Sequence, residues 1–172
     1  MTTRIQLTLF VPPPSADAIE AVRRVLDPIQ FGLIPAHVTL CREDELQGID
    51  PALLQQRLEA AKEIEALTLA FGAAEEFSTH GVLLPCVSGE KEFRELRQAI
   101  FGPGAVRRQQ AHITLAHPRN PKAAGNSLAA AQSLGNNLKV SFTSVCRIRQ
   151  DSGTPWQVLQ RVSLAAAARS DA

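Results

Sequence analysis

The chain has 172 residues, 45% of them apolar and 20% charged, and a net charge of +1 at pH 7. That much apolar surface lets one globular unit bury its own core, and no run of about 18 apolar residues offers a membrane span. So small a net charge argues against a protein that coats long nucleic acid, where many phosphates must be neutralised.

The first residues run directly into an alternating strand pattern, without the basic-then-apolar layout of a secretion signal. Cys41, Cys86 and Cys146 are widely spaced and match no metal or disulfide pattern. A reducing cytoplasmic location is expected. Charge is unevenly divided: residues 1–93 hold seven Lys/Arg against fourteen Asp/Glu, and residues 94–172 hold eleven against three. Such a split can place a positive wall beside a cleft and steer an anionic substrate to it.

In chain order, Arg4–Val11 alternates as a strand until Pro12-Pro13-Pro14 stops it. Ser15 is the expected N-cap of a helix over Ala16–Leu26, with Ile19, Val22 and Leu26 on one face. Pro28 and Gly32 break the chain before a strand that starts at His37. Asp50-Pro51 opens a helix to about Lys62, and Leu67–Phe71 is a strand. His80–Val87 reads as a strand in which Pro85 signals an edge or a bulge. Ser88 is placed to cap a helix over Glu90–Phe101, which Gly102-Pro103-Gly104 ends. A strand at His112, an alanine-rich helix over Lys122–Leu134, a long strand over Leu138–Arg149 and a last one over Trp156–Leu164 complete the pattern. The tail, Ala165–Ala172, is expected to fray.

Equivalent strands in the two halves lie about 75 residues apart, and so does the most specific motif. His37-Val38-Thr39-Leu40 returns as His112-Ile113-Thr114-Leu115, 75 positions later. In a strand, residues i and i+2 share a face. His37 with Thr39, and His112 with Thr114, therefore point one way, while Val38, Leu40, Ile113 and Leu115 point to a core. The expectation is one domain of two pseudo-symmetric lobes, roughly 1–75 and 76–164, each of antiparallel strands backed by helices.

Two imidazoles can run a reaction that one cannot. Near neutrality, with an ordinary pKa of about 6.5, one can take a proton while the other donates one. The threonine hydroxyls suit a phosphate, each donating to a non-bridging oxygen from a side chain with restricted χ1. A lone His-x-Thr in a strand is usually a half-buried polar pair; two copies at matching places in a repeat are not easily accidental. Zinc ligation is the other alternative, but no Cys, Asp or Glu is spaced to complete a tetrahedral site, and no cofactor is expected.

With both His-x-Thr-Leu tetrapeptides in place, the sequence resembles the 2H phosphoesterase superfamily, and within it the 2′-5′ RNA ligase and cyclic phosphodiesterase group. Leu9-Phe10-Val11-Pro12-Pro13 and the helix with Ala21-Val22-Arg23 are also similar to that group's start. The resemblance spans nearly the whole chain. It implies an α+β, bilobal fold with two antiparallel sheets, helices behind them and a central cleft holding both motifs. It also implies metal-independent cleavage of 2′,3′-cyclic phosphates, or cleavage and formation of 2′-5′ phosphodiesters in RNA. His37, Thr39, His112 and Thr114 carry over as the catalytic set.

Basic residues follow both motifs. Arg42 lies just past the first, and His117 and Arg119 just past the second; each is a candidate to contact substrate phosphate. His117 is expected in a loop before Pro118. Phe10 and Trp156 are candidates to stack a base. By period two Cys41 shares the face of His37 and Thr39, but its counterpart is Ala116, which signals small size and not a nucleophile. The expected partner is a nucleotide 2′,3′-cyclic phosphate or an RNA terminus, met by a monomer with no membrane contact. Two other functions compete: an RNA-end-joining or -trimming enzyme using the same four residues, and a non-catalytic nucleotide-binding module. The second would be favoured by degraded motifs, and both motifs are intact.

Overall fold

Pairing, not periodicity, decides where the strands lie, and it mixes the two halves of the sequence. In the computed structural model, residues 2–102 and 108–166 are described. Their elements in order are β1 (Thr3–Phe10), α1 (Ser15–Leu26), α2 (Pro28–Leu33), β2 (His37–Cys41), α3 (Glu43–Leu46), α4 (Pro51–Ala60), β3 (Leu67–Phe71), β4 (Glu75–Phe77) and β5 (Gly81–Ser88). There follow α5 (Glu90–Phe101), β6 (His112–Ala116), a 3₁₀ segment (Leu128–Leu134), β7 (Leu138–Phe142), β8 (Ser144–Asp151) and β9 (Gln157–Ser163).

The strands follow the path β7-β3-β5-β6-β2-β1-β8-β9, with β4 beside β5, and every pairing is antiparallel. The β2–β6 seam divides the sheet into two wings, β2, β1, β8 and β9 on one side and β6, β5, β3 and β7 with β4 on the other. The wings are not the two halves of the sequence. β3, from the first half, pairs with β5 and β7; β8 and β9, from the second half, extend β1. Lobes at 1–75 and 76–164 are corrected accordingly, and so is the single charged wall. Arg147, Arg149 and Arg161 of the basic half lie on β8 and β9, in the same wing as the acidic half's β1 and β2.

The core sits between the sheet and the helices. Ile19, Val22 and Leu26 of α1, Phe93, Leu96 and Ile100 of α5, and Leu54 and Leu58 of α4 pack against Leu7, Leu9, Val38, Leu40, Leu84, Ile113 and Leu115. These are the stripes that a 3.6-residue period and a two-residue period predict.

Local chemistry accounts for the remaining differences. Neither predicted serine caps its helix: α1 follows Pro14, and Ser88 ends β5 so that Gly89 precedes α5. Pro28 does not merely break the chain, because Asp27 accepts from the Gln30 amide and starts α2 with proline in its first turn. Pro85 is neither at an edge nor in a bulge of its own. It lies in an interior strand where β4 pairing at Gly81–Leu83 gives way to β3 pairing at Cys86–Ser88. The alanine-rich helix shrinks to its 3₁₀ portion, because Gly125 is wedged against Val25 and Asn126 is tied to the His80 carbonyl. The long strand over Leu138–Arg149 is two, since β7 and β8 part at Thr143 to join different wings. Ala165 is not frayed but bridges Glu65. Pro103 and Gly104 of the expected helix end, and residues 167–172 of the expected tail, lie outside the described residues.

Candidate active site

β2 and β6 are neighbours, with Val38 opposite Ile113. Continued one step each way, that register sets His37 across from Thr114 and Thr39 across from His112. The four side chains make a quadrilateral with the histidines on one diagonal. All four are half-buried, whereas Val38, Leu40, Ile113 and Leu115 between them are buried on the other face. The structure thus brings together the four residues that the duplicated motif singled out.

Each wing supports its motif in the same way. Phe10 pairs with His37 and Thr8 with Thr39 on one side; Pro85 pairs with His112 and Leu83 with Thr114 on the other. A register shift follows at the same place in both wings, after which Cys41 pairs with Leu7 and Ala116 with Val82. The shift turns Cys41 and Ala116 into the core, both at most 1% exposed. Cys41 therefore does not share the face of His37 and Thr39. Its thiol is held well above the ordinary thiol range by burial and by Glu45, which leaves it inert.

Both rings are anchored alike. His37 Nδ1 lies 2.7 Å from the Pro35 carbonyl oxygen, and His112 Nδ1 lies 3.0 Å from that of Gln110. A carbonyl only accepts, so each Nδ1 carries the proton and each Nε2 is left for chemistry. Burial lowers the His37 pKa to about 4, aided by the positive charges of Arg23 and His112 and opposed by the bond to Pro35. His37 is therefore neutral at pH 7, with a free lone pair on Nε2. That His112 is felt electrostatically by His37 agrees with their diagonal placement. Among the described residues, neither the Thr39 nor the Thr114 hydroxyl is engaged in a hydrogen bond. Among the same residues, no group of three or more His, Cys, Asp or Glu is placed to hold a metal ion.

The other candidates divide. Phe10 stands edge-on to His37, ring centroids 6.3 Å apart, and packs with Ile34, Cys146, Ile148 and Trp156 in a small second cluster. The Arg4 guanidinium lies 5.3 Å over the Trp156 ring, held by Glu43 and Gln150. His117 is in the loop after β6, as expected, about 10 Å along the chain from the Thr114–His37 row at roughly 3.3 Å per residue. Its Nδ1 accepts from the Arg119 amide at 3.1 Å, so it has the opposite tautomer to the motif histidines. Burial, then Arg119, lowers its pKa, against the pull of Asp27. Arg119 is exposed beside it. Arg42 is not in this group: it precedes α3, with Asp44 at 3.9 Å and its amide bonded to Glu45.

Two residues that matter here escaped the sequence reading. Buried Asp27 accepts from the His117 amide at 2.8 Å and from Asn120, fixing the loop at the His37 end. An Asp-Pro pair, the same signal that opened α4, would have flagged it. Gln109 donates to the Thr39 carbonyl at 2.9 Å and so ties the approach to β6 onto β2; nothing in its sequence surroundings marks it.

A family model described as the 2′-5′ RNA ligase superfamily matches residues 11–154. Among solved structures, E. coli LigT complexed with NADP+ superposes with a TM-score of 0.63 at 16% identity, over 94% of this chain and 98% of that one. The same protein complexed with 3′-AMP gives 0.62 at 15% identity, over 95% and 98%. A crystal structure described as a phosphoesterase gives 0.64 at 15% identity, over 95% and 99%. A search of curated proteins finds no match.

Proposed function

Because the chain belongs to the 2′-5′ RNA ligase superfamily, and is thus an enzyme of the 2H phosphoesterase kind, we propose that it hydrolyses 2′,3′-cyclic phosphates by metal-independent acid–base catalysis. The observation that carries this reading is the seam itself: two Nδ1-anchored histidines on one diagonal and, on the other, two threonine hydroxyls without a hydrogen bond among the described residues. The Thr39 and Thr114 hydroxyls hold the non-bridging oxygens. His37, neutral in the open cleft, takes the proton of an attacking water through Nε2 as the water oxygen bonds to phosphorus. The phosphorus–ribose oxygen bond on the far side breaks, and His112, entering as the imidazolium with Nδ1–H on the Gln110 carbonyl, gives its Nε2 proton to the departing oxygen. Assistance of this type is worth roughly 10²–10⁴-fold. Net, one water adds across one ester bond and a nucleoside monophosphate leaves.

The cluster beside His37 favours a second reading on the same four residues. The attacking end of the cleft, not the leaving end, carries Phe10, Arg4 over Trp156, and the His117–Arg119 loop. An attacking group with a base of its own, such as the 5′-hydroxyl of a second RNA strand, would stack on Phe10 and meet positive charge there. In that reading the enzyme joins or cuts 2′-5′ linkages. The nucleotide ligands of LigT, NADP+ and 3′-AMP, support a nucleotide in this cleft. The three cysteines, buried and unpaired, fit a reducing cytoplasm.

A comparison of 2′,3′-cyclic AMP with 2′-5′-linked ApA, using wild type and Phe10→Ala, tests both readings. Turnover of the cyclic nucleotide, little changed by the substitution, supports simple hydrolysis. Cleavage of ApA that falls at least tenfold in Phe10→Ala supports the two-strand substrate. Turnover of neither would remove both.

A further inference from the structure

We propose that Glu20 and Glu90 are positioning residues for His37 and His112, each gripping through its carboxylate the one peptide group that holds its histidine. The inference rests on the catalytic roles given above to the two rings.

The Pro35 carbonyl that receives the His37 Nδ1–H belongs to the same peptide unit as the Ala36 N–H, and that N–H donates to Glu20 Oε1 at 2.5 Å. In the other wing, the Gln110 carbonyl receives the His112 Nδ1–H, and the Ala111 N–H of the same unit donates to Glu90 Oε1 at 2.7 Å. Carboxylate, peptide and imidazole are thus linked in series twice. Hydrogen bonds in such a chain polarise one another. A carboxylate on the N–H makes the carbonyl opposite a stronger acceptor, which fixes the proton on Nδ1 and leaves Nε2 as the atom that takes or gives the catalytic proton.

The arrangement is not a by-product of the repeat. Glu20 lies inside α1, 16 residues before its target, and Glu90 is the first residue of α5, 21 before its own. Two differently placed carboxylates reach equivalent peptides. The next peptide unit is tied down as well: the Ala36 and Ala111 carbonyls accept from the Val11 and Cys86 amides, and both alanines are at most 1% exposed. In the first wing the grip is extended. The second oxygen of Glu20 receives Arg23 Nη1 at 2.6 Å, and Arg23 Nη2 donates to the Ile34 carbonyl at 2.8 Å.

The test uses the full chain with Glu20 and Glu90 each changed to Ala, Asp or Gln. Ring tautomers are read from long-range proton–nitrogen correlations, and kcat and KM from cyclic nucleotide hydrolysis. Glu90→Ala and Glu90→Asp are expected to mix the His112 tautomers while leaving those of His37 intact, and to lower kcat about 10–100-fold with KM within twofold. Glu20→Ala and Glu20→Asp should do the same at His37. The Gln variants keep an acceptor and should restore the tautomer and most of kcat. In a His112→Ala background, Glu90→Ala should cost nothing further, because it acts through that ring.

The Asp variants keep the charge and withdraw only one methylene of reach, so they serve even where an Ala variant does not fold. Unchanged tautomers in the folded Ala or Asp variants would overturn the inference, as would a full further loss in the His112→Ala background. The tautomer measurement needs no substrate, so it decides this point even if the enzyme hydrolyses no cyclic phosphate.

Discussion

A threonine hydroxyl facing a cleft with no partner among the described residues is a donor waiting for an oxygen, and Thr39 and Thr114 supply two across one seam. Replacement by valine keeps the branched shape and the strand preference but removes the donor. Thr39→Val and Thr114→Val should each lower kcat by about 10²–10³-fold, as loss of one oxyanion donor does, with unchanged thermal unfolding; a steady-state assay beside a melting curve checks both. His37 sets the pH dependence. As the proposed base it must be neutral, so kcat/KM should be lost as pH falls through a value near 4, well below the ordinary 6.5. The same shift bears on stability. The unfolded chain protonates His37 first, so stability declines as pH falls from 6.5 to about 4, by up to about 3 kcal/mol. Urea titrations of wild type and His37→Gln at pH 7 and 4.5 would show it, with the pH-dependent loss smaller in the variant. These residues were legible because a strand's two-residue period is strict. Cys41 was misread on the same rule, since nothing in its surroundings announces the register shift that turns it inward.

Elements whose ends are set by side chain or backbone chemistry were legible where that chemistry is local. Asp50 accepts from the Ala52 and Leu53 amides and opens α4 where an Asp-Pro signal predicts. Asp27-Pro28 carries the same signal, but α2 has only six residues and a glycine, too short for a periodic stripe. Gly89 shows the limit of cap reasoning. The chain turns from β5 into α5 at φ +94°, and an added Cβ would stand 2.5 Å from the Thr68 carbonyl oxygen. Ser88 offered a plausible cap, yet the turn needs a residue without a Cβ. Gly89→Ala should destabilise the fold by more than about 1 kcal/mol and, because Glu90 is the next residue, should also lower kcat. Chemical denaturation with a parallel assay would check this. A loss of stability with full activity would show that the turn and the site are uncoupled.

At the scale of the molecule, the repeat was visible but its wiring was not. Periodicity locates strands; it does not say which strand each will pair with, and here β3 and β8 exchange wings. Each wing therefore depends on both halves of the chain. Residues 1–75 expressed alone should show no cooperative unfolding, since β3 would lack β5 and β7 while β1 would lack β8; calorimetry of the fragment is the check. The exchange also locks the seam, where one motif from each half meets the other and where we propose the chemistry occurs. The most direct test of that claim is chromatography of 2′,3′-cyclic AMP, CMP, GMP and UMP after incubation in EDTA with wild type, His37→Ala and His112→Ala. Conversion of at least one to a single monophosphate isomer, lost in both variants, is the predicted result. Turnover that survives both substitutions, or that EDTA abolishes, would contradict it.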